Sequence, residues 1–172
     1  MEIKKIFENK FNFLIKRFIE VIGIIILVIS LLLFISLITY SPEDPNFIFP
    51  DNTEIKNILG FKGSFVSDIF FQSIGLISIL FSISLFFTGV NIVKTKKLVL
   101  LLQNCFYSIL YAILGSIFFS VYYSDSYWLA INGNGGFVGK LLSENFFSFI
   151  LNKNNNISYY LLLTLILIIF FK

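Results

Sequence analysis

Val21–Ile38 reads VIGIIILVISLLLFISLI, an uncharged run interrupted only by Gly23, Ser30 and Ser36. A helix rises about 1.5 Å per residue and needs about 20 residues to cross some 30 Å of hydrocarbon. With its flank to Tyr40, this run meets that length. Its N-terminal flank is basic, as in a secretory signal. The run is nevertheless longer than the core of about 7–15 residues that a signal peptide carries, and SLITYSPEDP follows with no small-x-small cleavage site. The stretch predicts an uncleaved membrane anchor.

Outward from it, the pattern recurs. Apolar stretches over 69–93, 98–122 and 157–171 predict three further spans after the first at about 21–40. The fourth covers only about 22 Å as a helix. Either it crosses with Lys172 reaching to the interface, or it belongs to a chain that continues. The composition is 57% hydrophobic and 13% charged, with a mean hydropathy of +0.88; soluble domains carry about 25% charged residues. The fold class is therefore all-α and integral to the membrane. A net charge of +3 is too small to argue for nucleic acid. With no His and a single cysteine, Cys105, an internal disulfide and the usual Cys/His zinc site are excluded. The 23 phenylalanines read as lipid-facing filler under a compositional bias.

The basic residues orient the spans. Lys4, Lys5, Lys10, Lys16 and Arg17 precede the first span; Lys94, Lys96 and Lys97 fill the short link between the second and third; Lys172 follows the fourth. The longer loops, 41–68 and 123–156, hold only Lys56, Lys62, Lys140 and Lys153. Both termini are expected in the cytoplasm and both long loops outside. Ile3, Phe7, Phe11, Leu14 and Phe18 recur at helical spacing among the tail lysines. They predict a short amphipathic helix on the inner leaflet, so residues 1–20 form a tail and 21–172 a four-span domain.

Ile131–Leu142, INGNGGFVGKLL, resembles a phosphate-binding loop only superficially. In the G-x-x-x-x-G-K-[ST] spacing the first glycine would fall on Asn134, and Leu141 replaces the hydroxyl residue. The stretch also lies on the outer side, away from nucleotide. Gly133, Gly135 and Gly136 instead suit a sharp re-entry through positive φ. Phe137, Val138, Leu141, Leu142 and Phe146 then predict a short amphipathic helix on the outer face, before a polar turn at Asn152–Asn156. Tyr122, Tyr123, Tyr127, Trp128, Tyr159 and Tyr160 suit the headgroup belt.

The span interiors contain no ionisable residue, which argues against a pump or coupled transporter; no catalytic cluster, cofactor site or metal site is expected. Ser78/Ser82 and Ala112/Ser116/Ser120 repeat every four residues and predict a small-residue seam between spans two and three. A contact between subunits is the alternative.

All three prolines, Pro42, Pro45 and Pro50, sit in TYSPEDPNFIFP. Beyond them, Gly60 and Gly63 predict close packing on a neighbouring helix, and Asp68 a favourable charge at the head of the second span. A first span ending LITYSPEDPNF, then N-x-x-G-x-x-G-[small]-x-x-[small]-D, resembles the N-terminal membrane domain of the FtsK/SpoIIIE DNA translocases. Thr39, Ser41, Pro42, Asp44, Pro45, Asn57, Gly60, Gly63, Ser64, Ser67 and Asp68 carry the likeness, joined by Gly135, Gly136, Gly139 and Leu141-Leu142. Ser67 stands where Ala is expected.

The resemblance covers essentially the whole chain. It implies a membrane anchor in the bacterial inner membrane at the division septum, supporting divisome assembly and chromosome segregation. Its partners would be the bilayer, divisome proteins and further copies of the chain, since the family's motor is hexameric. In the family a long linker leads on to an ATPase that pumps DNA. No Walker motif, arginine finger or DNA-reading helix occurs here, so linker and motor are expected elsewhere in a longer protein. This region itself should bind neither DNA nor nucleotide and should not be an enzyme. A small permease-like or channel-forming protein is the rival reading.

Overall fold

A computed structural model describes residues 2–45, 54–126, 128–129, 131–145 and 156–172, with side chains described from residue 10 onward. Pro50, Asp51, Tyr127, Phe146 and Asn152–Asn155 lie outside the described residues. The described chain is helical: α1 Glu2–Ile38, α2 Gly60–Ile74, α3 Ile77–Thr95, α4 Val99–Tyr122, α5 Gly136–Asn145 and α6 Asn156–Phe170. Three of these, α1 over Lys10–Ile38, α3 and α4, are long and apolar enough to cross a membrane; α6 is a shorter apolar helix.

Two expected boundaries are corrected. The tail is helical, as its periodicity predicts, yet it is no separate element, because α1 runs unbroken from Glu2 to Ile38. No proline or glycine interrupts residues 2–22. Arg17 and Glu20 pair at 2.6 Å, one turn apart, just ahead of the expected junction. The second span, expected over 69–93, is split. Gly75 adopts φ +70, which ends α2 and lets α3 start afresh at Ile77. Asp68 consequently lies within α2 and not at the head of a span.

A set of side-chain and backbone contacts orders the bundle. Gly23 and Gly89 bring α1 and α3 together, since a Cβ on Gly89 would lie 3.0 Å from the Gly23 carbonyl. Such close approach is how apolar helices associate where lipid removes the hydrophobic drive between them. Gly115 of α4 receives the Ile77 side chain of α3. At one end Glu20 of α1 meets Lys96, just past α3, at 2.8 Å; this is the basic end. At the other, the loop end, Phe118 of α4 stacks on Tyr159 of α6 at 5.1 Å. Tyr123 and Tyr159 share a hydrogen bond there, and so do Tyr122 and Ser158. α6 then runs back along α4, and Phe170 meets Tyr111 edge-on.

Candidate functional site at the loop end

α1 stops because Pro42 disfavours a helical residue at Ser41. Its last carbonyls would be orphaned in apolar surroundings. Asn57 takes them: its side-chain amide donates to the Ser36 carbonyl at 2.9 Å and to the Thr39 carbonyl at 3.3 Å. Asn57 is held in turn by Asp44. That carboxylate is 1% exposed and accepts the backbone N–H groups of Lys56 (2.8 Å) and Asn57 (2.9 Å). The 41–44 turn presents it, closed by the Asp44 amide on the Ser41 carbonyl. Outside this knot, Lys56 pairs with Glu43 and holds its carboxyl below the ordinary carboxylate range.

α2 locks onto the same knot. Ser36 Oγ donates to the Gly63 carbonyl at 2.6 Å, Ser64 Oγ to the Pro45 carbonyl at 3.1 Å, and Tyr40 to Asp68 at 3.1 Å. A Cβ on Gly63 would lie 2.2 Å from Asn57 Oδ1. Gly63 is thus a close-packing position as expected, its carbonyl taken by Ser36 of α1 and its Cβ position filled by the Asn57 cap. Gly60 is not one: nothing lies within 4 Å of its Cβ position, and its feature is φ +66. Ser67 turns its hydroxyl onto Gly63 and Ser64 carbonyls within α2.

The far end of α2 reaches the second loop. Gln72 donates to Asp68 at 3.4 Å and accepts Asn132 at 3.1 Å. Ser116 of α4 donates to the Ile74 carbonyl at 2.8 Å, and the Leu76 amide to the Asn134 carbonyl at 2.9 Å. Gly136 folds against the Gly75 amide, 2.5 Å from where its Cβ would stand. Gly135 lacks the positive φ expected of it. Like Gly139, it lies against the Ser116 carbonyl, with Cβ positions 2.5 and 2.1 Å away. The Ser116/Ser120 face therefore meets the expected second span at the Ile74 carbonyl and packs on α5 as well. Ser78 and Ser82 are buried but bond within their own segment, to the Gly75 and Ile79 carbonyls.

α5 forms after the glycine stretch as expected, but its buried face is Gly136, Gly139 and Ser143. Val138 and Leu142 turn inward, whereas Phe137 and Leu141 are exposed. Small residues win the contact because only they let two backbones touch.

Tyr40–Asp68–Gln72–Asn132 thus forms a polar bridge along α2 that yokes the two long loops. Sequence reading missed Ser36, Tyr40, Gln72, Gly75 and Asn132. A glycine within an apolar run, QSIGLI, was the available signal for the hinge. Among the described residues no buried side-chain polar atom lacks a partner, and no cluster of His, Cys, Asp or Glu could hold a metal.

Such saturated polar groups hold a shape. Fold and site together define a polytopic helical membrane domain, tied off at its loop end. The chain belongs to the 4TM region of the DNA translocases FtsK/SpoIIIE, whose family model matches residues 15–172. That region is the membrane part of those proteins and not their ATPase motor. No curated protein and no solved structure gives a significant match.

Proposed function

We propose that this domain, the membrane anchor of an FtsK/SpoIIIE-type translocase, sits in the bacterial inner membrane at the division septum and supports divisome assembly and chromosome segregation. The observation that carries the reading is the yoked loop end. Asp44 and Asn57 tie the first long loop to the end of α1, and Asp68 and Gln72 of α2 link it across to Asn132 of the second, so that the two loops form a fixed surface outside the bundle. A fixed surface suits contact with partner proteins of the divisome. The basic end, with Lys94, Lys96 and Lys97, faces the cytoplasm under the positive-inside rule, which puts both termini there. A DNA-pumping motor joined through a linker would lie on that side, and its hexameric ring would gather several anchors.

A fluorescent fusion to residues 1–172 should collect at midcell in dividing cells. Uniform label around the whole membrane would defeat the septal reading and favour a small permease-like protein.

A further inference from the structure

We propose that a groove formed by α1, α2 and α3 at the loop end seats one phospholipid, with an acyl chain along the groove and the phosphate on Lys62. Ile29, Leu32 and Leu33 of α1, Val66 and Phe70 of α2 and Leu85 of α3 form its wall. Its volume is about 470 Å³, within the range of about 300–1,000 Å³ usual for small-ligand sites. Among the described residues, none of α4, α5 or α6 lines it, and none near Lys172.

The groove is one leaflet deep. On α1 it starts at Ile29, midway along the apolar run Val21–Ile38, and reaches Ser36, whose hydroxyl is spent on the Gly63 carbonyl of α2 at 2.6 Å. From Ile29 to Ser36 a helix rises about 10 Å, against about 15 Å for half of the hydrocarbon. Toward the basic end the groove is shut, because Leu27 lies against α3, 2.8 Å from the Cβ position of Gly89. A partner's spanning helix would have to continue past that closure into the other leaflet. An acyl chain ends with its own leaflet.

Charge selects the occupant. Among the described residues Lys62 is the one charged group that lines the groove, and it has no ion-pair partner. It stands in the first turn of α2, which carries no acid and no side-chain cap, so the positive helix end adds to the ammonium. Ile29, Leu32 and Val66 are exposed, which leaves the wall bare. The first loop arrives on the other flank of α2: Ser64, which holds the Pro45 carbonyl at 3.1 Å, stands about 160° round the helix from Lys62. An ammonium at the rim of an apolar wall matches a phosphate joined to a hydrocarbon tail.

The test uses the 172-residue chain in bilayers of phosphatidylglycerol with a minor fraction of diacylglycerol, which has the chains but no phosphate, gently extracted for native mass spectrometry. One phosphatidylglycerol should remain per chain, about fivefold or more in excess of diacylglycerol relative to their shares of the bilayer. Lys62→Gln should weaken its retention about fivefold, the effect of one basic residue at an anionic surface, and erase the preference. Val66→Trp, which fills the groove from its exposed wall, should release the lipid altogether. Lys94→Gln, at the basic end, should leave retention unchanged. If Val66→Trp does not fold, Leu32→Trp on the facing wall replaces it. Equal retention of both lipids by the parent, retention that survives Lys62→Gln and the tryptophan variant, or a second copy of the chain in place of the lipid would overturn the proposal.

Discussion

At position 44 a carboxylate with almost no exposure spends both oxygens on the backbone amides of Lys56 and Asn57. Hydrogen bonds to a charged acceptor are about twice as strong as neutral ones. Asp44→Ala should therefore cost about 3 kcal/mol, and trypsin should cut after Lys56 at least about tenfold faster than in the parent. Asp44→Asn, which keeps one acceptor oxygen, should fall between. The turn around Asp44 was legible, because proline fixes its geometry locally. Its partners were not, since they lie 12 and 13 residues on, and no short-range pattern announces a pairing across a loop. Asp68 was misread for a related reason. An acid near the start of an apolar run looks like a helix-end charge until the helix is seen to begin eight residues earlier, at Gly60.

Among the elements, α2 and α5 show what hydropathy averages conceal. A window centred on the second apolar run sees one continuous span, because Gly75 barely lowers its mean. The backbone sees a break. Glycine is required there by φ +70 and by a carbonyl 2.0 Å from its Cβ position. Contacts of this kind predict a ranking. Gly139→Ala sets a methyl 2.1 Å from the Ser116 carbonyl and should cost about 3 kcal/mol through displacement of α5. Gly60→Ala meets no atom and should cost only about 1 kcal/mol, from its left-handed φ alone. Midpoints of helix loss in a detergent titration, followed by circular dichroism, would check the order.

For the molecule as a whole, the number of apolar helices and the pairing of their ends followed from hydrophobic length and lysine placement. The bundle agrees in its contacts: Glu20 meets Lys96 at one end, and Tyr123 meets Tyr159 at the other. A topology reporter inserted at Lys96 should signal the cytoplasm and one at Asn134 the outer side; the reverse pattern would invert the domain. The yoke between the loops was illegible, because Asn132 and Gln72 stand 60 residues apart in sequence.

The unbroken α1 carries a mechanical consequence. Beyond Glu20, where Lys96 pins it, the helix projects about 27 Å. It behaves as a lever with its fulcrum at that ion pair. A tilt of about 10° inside the bilayer would swing the N-terminal tip by about 5 Å, on the geometry of a rigid rod. Load applied at the tip would reach the Gly23–Gly89 crossing in the same way.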